Sequence, residues 1–188
     1  MRAMIIDSHT HVFPEETAKK ILPDVSRRAN IPCYSDGTTQ GLLASMAKAG
    51  IHVSVISRIA TRAEQVDAVN QWLMQQAQKG IVPLAAACPD LPPEPSFVKK
   101  VKTVGFKGFK LHPDYQNFYV DDRRLYPFYE AVQDEKIPVL FHAGLDRGLP
   151  PPVHATPERL LKVRELLGEP GASDRVARMV LSMTGGAS

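Results

Sequence analysis

The chain is poor in the features that would place it in a special class. It has 2 cysteines among 188 residues. Cys33 and Cys88 lack the close pairing of a structural zinc site. The N-terminal run Met1-Arg2-Ala3-Met4-Ile5-Ile6 is short and is interrupted by Asp7, so no secretory signal is read there. A disulfide therefore has no support from compartment, and a reducing cytoplasm is the expected location. No apolar run approaches the roughly 20 residues that cross a bilayer. Neither sign of charge dominates: the formal net charge is +3, and Lys and Arg are scattered rather than clustered. This gives no electrostatic case for a nucleic-acid or membrane partner. Fixed-period repeats and low-complexity segments are also missing. What remains is ordinary globular composition, 44% hydrophobic and 23% charged, in a chain long enough for one core. A single domain over 1–188 is expected.

Within that frame, apolar runs of strand length alternate with stretches of helical period. Strands are predicted at Met4–Ser8, Ile51–Ser57, Ile81–Cys88, Phe106–Leu111 and Ile137–His142, with alternation and β-branching marking Ile51–Ser57. Between them fall a short helix at Glu15–Leu22 and a second at Thr39–Ala49, capped by Thr38 or Thr39 and stopped by Gly50. A third at Arg62–Gln78 has Thr61 and Glu64 as a capping box. Others follow at Ser96–Thr103, at Arg123–Glu135 and at Pro157–Leu167, with Thr156 as N-cap and Pro157 at the first helical position. Alternation of this kind predicts a parallel sheet covered by helices, either a (β/α) barrel or an open doubly wound sheet.

The stretch that organises the chemistry is Asp7-Ser8-His9-Thr10-His11. Side chains two apart on a strand share a face, so His9 and His11 project side by side. Neutral imidazoles so placed can hold one metal ion. Other polar residues close later strands: Cys88 the third, Lys110 and His112 the fourth, His142 the fifth. Barrel enzymes keep their active sites at the C-terminal ends of parallel strands. A histidine ending the fifth strand can meet the His-x-His pair across a lumen. Lys110 can point inward, or outward with its stem along the surface. His52 and His154 fall outside this pattern and read as surface residues. Gly105-Phe106-Lys107-Gly108 does not make a phosphate loop.

Four segments carry a resemblance: Asp7-Ser8-His9-Thr10-His11-Val12-Phe13-Pro14, Gly105 through Pro113, Pro138 through Gly144, and Ala155 through Leu160. In order and spacing they resemble the amidohydrolase-related branch of the amidohydrolase superfamily, from residue 4 to about residue 161. Those proteins are metal-dependent TIM-barrel hydrolases, with decarboxylases among their relatives. The resemblance implies His9, His11 and His142 as ligands of one divalent ion, with zinc the expected metal. Lys110 falls on the strand where binuclear members carry a carboxylated lysine. Lys110 and His112 are assigned to substrate binding or to support of the ligands. The loop from Asp114 to Asp122, with Asp146 and Arg147, would shape the pocket. The implied activity on a small-molecule substrate is hydrolysis of a C–N or C–O bond by metal-activated water. Decarboxylation on the same scaffold is the alternative.

The chain also departs from that pattern. A full (β/α)8 barrel takes about 250 residues, and the strand count here reaches five, or six with Ala177–Met183. Met183-Thr184-Gly185-Gly186 stands where the family's sixth strand ends in histidine. The seventh and eighth units are missing, and with them the aspartate that completes the family's catalytic set, so no catalytic acid or base is assigned. Residues 168–188 form an atypical tail, consistent with truncation or a shifted frame. The expectation is thus a partial TIM-type barrel of five to six parallel strands whose open edges favour a homo-oligomer. A remnant that binds metal or ligand without turnover is the non-enzymatic reading.

Overall fold

The protein is described by a computed structural model covering residues 4–90 and 94–166. In chain order the elements are β1 (Ile6–His11), α1 (Glu15–Ala29), α2 (Thr39–Ala49), β2 (Val53–Ser57), α3 (Val66–Gln75), β3 (Ile81–Pro83), β4 (Ala85–Ala86), α4 (Pro95–Val104), β5 (Phe109–Leu111), α5 (Tyr126–Asp134), β6 (Val139–Phe141) and α6 (Pro157–Leu166). Every strand pairing is parallel, in the orders β1-β2-β3 and β4-β5-β6. This is an α/β fold with neighbours in space following neighbours in sequence. The expected sixth strand at 177–183 and the tail lie outside the described residues.

The two sheets meet in one run of chain. The single strand expected over Ile81–Cys88 divides at Leu84: β3 pairs with β2, and β4 pairs with β5. Leu84 N–H still donates to Ile56 O at 2.9 Å, while Ala85 N–H donates to Gly108 O at 2.8 Å. Asn70 of α3 takes both backbone groups of Ala86, accepting its N–H at 2.7 Å and donating to its C=O at 3.0 Å. A buried amide thus satisfies what a regular ladder would have satisfied, and no hydrophobic pattern announces that exchange.

Residues alternate between two faces along each strand. One face is wholly aliphatic at its base, where Val53, Val55 and Leu84 pack with Ile6, Val82 and Leu140. The other meets the helices and holds the larger core. There Ile56, Phe109 and Leu111 are buried with Val98, Phe128 and Tyr129. Phe109 stands edge-on to Phe128 with ring centres 5.1 Å apart. Each such fully buried apolar side chain contributes roughly 1.5–3 kcal/mol, so the helix face supplies most of the burial.

Local signals hold in part. Thr38 caps α2 through Gly41 N–H at 3.0 Å, and Gly50 closes it at φ +69°, the left-handed conformation that favours glycine. α1 runs past Pro23 to Ala29, not to Leu22. Proline in a helix interior costs about 3 kcal/mol, here offset in part by Asp24 pairing with Arg27 and Arg28 and by Asn30 in the αL cap. At α3 the reciprocal capping partner is Gln65, not Glu64: its Oε1 accepts from Thr61 N–H and Arg62 N–H. β1 extends to His11 instead of stopping at Ser8, because a register shift between Asp7 and Thr10 lets Thr10 and His11 pair with Ile56 and Ser57. Among the described residues no helix is long and apolar enough to cross a membrane.

Candidate functional site

Alternation carries the aliphatic face upward into a polar mouth at the C-terminal ends of the strands. Lys110 is in register with Leu140 and Ala86, so it shares the face of Leu140; His112 and His142 follow two residues on from each. His11 is in register with Ser57, two residues beyond Val55. All five sequence-predicted residues, His9, His11, Lys110, His112 and His142, therefore converge at one end of the sheet.

His9, His11 and Lys110 form the first cluster. The two imidazoles lie with ring centres 5.0 Å apart. His11 Nδ1 is 3.1 Å from the Ser57 carbonyl, which assigns its proton to Nδ1 and leaves the Nε2 lone pair free. A carbonyl behind a histidine in this way fixes the tautomer that binds metals. Lys110 points inward and is fully buried; the outward alternative is not taken. Its Nζ lies 3.0 Å from His9 Nε2, where the ammonium donates to the ring nitrogen. His9 is held at about pKa 4, first by desolvation, then by Lys110, His11 and His142. Both residues are exposed as a whole, yet desolvation leads the downward shift of each ring. His11 is also shifted down, chiefly by desolvation. Both are neutral at pH 7, the form that binds metals.

Lys110 has no carboxylate partner among the described contacts, and burial lowers it to about 8. A buried cation without a counter-charge is costly, and an apolar isostere relieves that cost. Lys110→Met is expected to raise stability by about 1–3 kcal/mol, read as a higher urea midpoint with an unchanged slope. A lowered midpoint would mean that the contact with His9 outweighs the burial cost.

His112, His142 and Asp146 form the second cluster. The two imidazoles stack with centres 4.0 Å apart and planes 7° from parallel. Asp146 Oδ2 lies 3.3 Å from His112 Nε2 and 3.7 Å from His142 Nε2. Tyr115 N–H donates to His112 Nδ1 at 3.3 Å, so the proton of His112 sits on Nε2, facing the carboxylate. His112 is pushed down to about 3, first by desolvation and then by His142 and Lys110, so its contact with Asp146 is not an ion pair at pH 7. His142 Nε2 is buried and has no hydrogen-bond partner. Among the described residues, His112, His142 and Asp146 are the three metal-ligating groups whose ligand atoms all lie within 4.8 Å of one another. His9 and His11 stand in the neighbouring cluster with Lys110.

The loops above the mouth are tied by two groups that sequence spacing did not identify. Gln116 is buried; its Oε1 accepts His112 N–H at 2.7 Å, and its Nε2 donates to Ala60 O at 2.7 Å and Ala87 O at 2.8 Å. One amide thereby joins the loops leaving three strands. His154 is buried, not at the surface as its position outside the strand-end pattern implied. Its Nδ1 is 2.7 Å from Asp114 Oδ1, which also accepts its backbone N–H at 2.9 Å. This pair joins the loop after β5 to the loop after β6. His52 is exposed as read, accepting Ile5 N–H at 3.1 Å. Cys33 is exposed and Cys88 buried, and both are free thiols.

The sequence pattern of the amidohydrolase family matches residues 6–183. The chain belongs to that family. No curated protein matches it. Solved structures similar to this amidohydrolase-family chain include a probable 2-pyrone-4,6-dicarboxylic acid hydrolase from Acinetobacter baumannii. That likeness has 17% identity and TM-score 0.51, over 75% of this chain and 50% of that one. A putative amidohydrolase from Staphylococcus aureus is 14% identical with TM-score 0.57, over 76% and 48%. A 5-carboxyvanillate decarboxylase from Novosphingobium aromaticivorans, solved with bound manganese, is 14% identical with TM-score 0.58, over 96% and 60%. The first two likenesses span about half the length of the solved chains. At these identities the likeness is one of fold.

Proposed function

We propose that the chain is the metal-binding part of a hydrolase acting on a C–N or C–O bond of a small molecule, with one divalent ion held by His9, His11 and His142. The observation that carries this reading is the state of the donors: neutral imidazoles side by side on β1, with His11 Nδ1 already committed to Ser57 O. The orphaned Nε2 of His142 is a further donor on the same face. The donor set fits a borderline cation such as zinc, and equally the manganese named for the decarboxylase relative. When bound, such an ion lowers the pKa of a water and polarises a carbonyl.

The chain's own residues set the conditions for that chemistry. Ser57 O orients His11. Lys110 occupies His9 Nε2, so it must turn aside before that nitrogen can bind anything else. Freed from His9, its ammonium would face the polar mouth, where it can bind a carboxylate or a developing negative charge. Asp146, beside His112 and His142, is the carboxylate placed to accept a proton in the mouth. The described strands read as an arc of a TIM-type barrel wall, with β1 and β6 as its edges. Pairing through those edges gives a homo-oligomer, in the cytoplasm.

Decarboxylation is the second reading, favoured by the fold likeness to the decarboxylase across 96% of this chain. Protein purified without chelator should carry metal, lose it in His11→Ala, and hydrolyse an ester, lactone or amide from a small panel. Release of CO2 from hydroxybenzoic acids, with no hydrolysis, would move the reading to decarboxylation. Metal without either activity would leave a binding remnant. Metal content unchanged in His11→Ala would sink the ligand assignment.

A further inference from the structure

Among the described residues the buried side-chain atoms without a hydrogen-bond partner are Ser54 Oγ, Arg58 Nε and His142 Nε2, and the last of these lies beside a second imidazole and a carboxylate. A buried polar atom without a partner carries a desolvation cost that a native structure normally recovers. Asp146 Oδ2 is 3.7 Å from His142 Nε2, beyond hydrogen-bond range, and the same oxygen is 3.3 Å from His112 Nε2. These atoms surround a common point without closing on it.

We propose that His112, His142 and Asp146 bind one divalent transition-metal cation, at a position separate from His9 and His11. For ligand bonds of about 2.0–2.1 Å, adjacent donors of a tetrahedral site stand about 3.3 Å apart. The two contacts to Asp146, 3.3 and 3.7 Å, fall at or near that edge, and all three ligand atoms lie within 4.8 Å of one another. Two imidazoles with one carboxylate give a net charge of −1, and the set selects zinc, cobalt, nickel or copper over calcium and magnesium. Three protein ligands leave an open position, as catalytic sites do.

Two adjustments accompany binding. The rings are stacked nearly parallel, so one must tilt to direct its lone pair at the ion. His142 is the ring free to do so, since its Nε2 is bonded to nothing. His112 must also pass its proton from Nε2 to Nδ1, giving up the 3.3 Å contact from Tyr115 N–H. That contact is long, and the metal bond replaces it. His142 Nε2 has one lone pair and binds one ion at a time, so this site competes with the proposed function for that ligand and stands without it.

The test separates the two. In a His9→Ala/His11→Ala background, Co2+ is titrated and followed by its visible d–d absorption and by calorimetry. The inference expects a bound Co2+ whose affinity falls by about tenfold or more when Asp146→Asn or His112→Ala is added. A folded double variant that binds no Co2+, or affinity indifferent to both added substitutions, overturns it. Far-UV circular dichroism and a cooperative melt establish folding. Should the double variant not fold, Asp146→Asn in the otherwise unchanged chain decides the matter: weakened Co2+ binding supports the site, and unaltered binding overturns it. Co2+ lost with His9 and His11 but indifferent to Asp146 sustains the proposed function and rejects this inference. Dependence on Asp146 with indifference to His9 and His11 does the reverse.

Discussion

Gln116→Ala is expected to destabilise the protein by about 3–5 kcal/mol, because one truncation strands three buried backbone groups. The amide donates to Ala60 O and Ala87 O and accepts from His112 N–H. Each buried group left unpaired costs about 1–3 kcal/mol, less whatever water recovers. Stability measured by urea unfolding should fall accordingly. Gln116→Glu should keep the bond from His112 N–H but set a buried carboxylate against the Ala60 and Ala87 carbonyls, so it should destabilise at least as much as Gln116→Ala. A loss under about 1 kcal/mol for the alanine variant would mean that water replaces the amide fully. The same substitution should loosen His112, whose backbone the amide holds.

Acid should begin to destabilise the protein before its carboxylates titrate. His112 titrates near 3 and His9 near 4 in the folded chain, against 6.5 for an unperturbed histidine. Both shifts are downward, so between these values the unfolded state binds more protons than the folded one. Stability therefore rises with pH across that window; the histidine contribution is complete above about pH 6.5 and is lost as pH falls toward 4 and 3. For buried His112 the slope is about 1.4 kcal/mol per pH unit, or about 3 kcal/mol lost by pH 4. His9, being exposed, adds less than its shift would imply. Urea midpoints collected from about pH 7 down to about pH 4.5 should decline steadily, and His112→Gln should flatten the decline. A midpoint constant over that range would show that these rings are solvated in the apo protein.

Much of this is legible in sequence, and the reasons are specific. Period-two alternation locates Lys110, His112 and His142 because a strand fixes which face each takes, and the structure keeps all three on the face of Leu140. His9 beside His11 follows from the same rule. Partners across the fold are not legible: Lys110 meets His9 at a separation of 101 residues, and no local spacing encodes that. Asp146 carries a weak local signal, since it lies four residues beyond His142. His154 escapes the strand-end rule because burial at a loop is set by the acceptor it finds, here Asp114, rather than by its own strand position. The division of the Ile81–Cys88 run is hidden for a similar reason, since it depends on Asn70, an α3 side chain. The tautomers of His11 and His112 come only from the carbonyl and amide standing behind them.

The two-faced strands carry a consequence for how such a chain can change over generations. Chemistry-bearing side chains occupy one parity of each strand, while Phe109, Leu111 and Ile56 occupy the other against the helices. Substitutions in the mouth therefore draw on a different set of positions from those that hold the helices in place. A lineage can exchange the donors at 9, 11, 110, 112 and 142 for another set with little repacking of the aromatic layer behind them. New reactivity and retained foldedness are then inherited almost independently, residue by alternate residue.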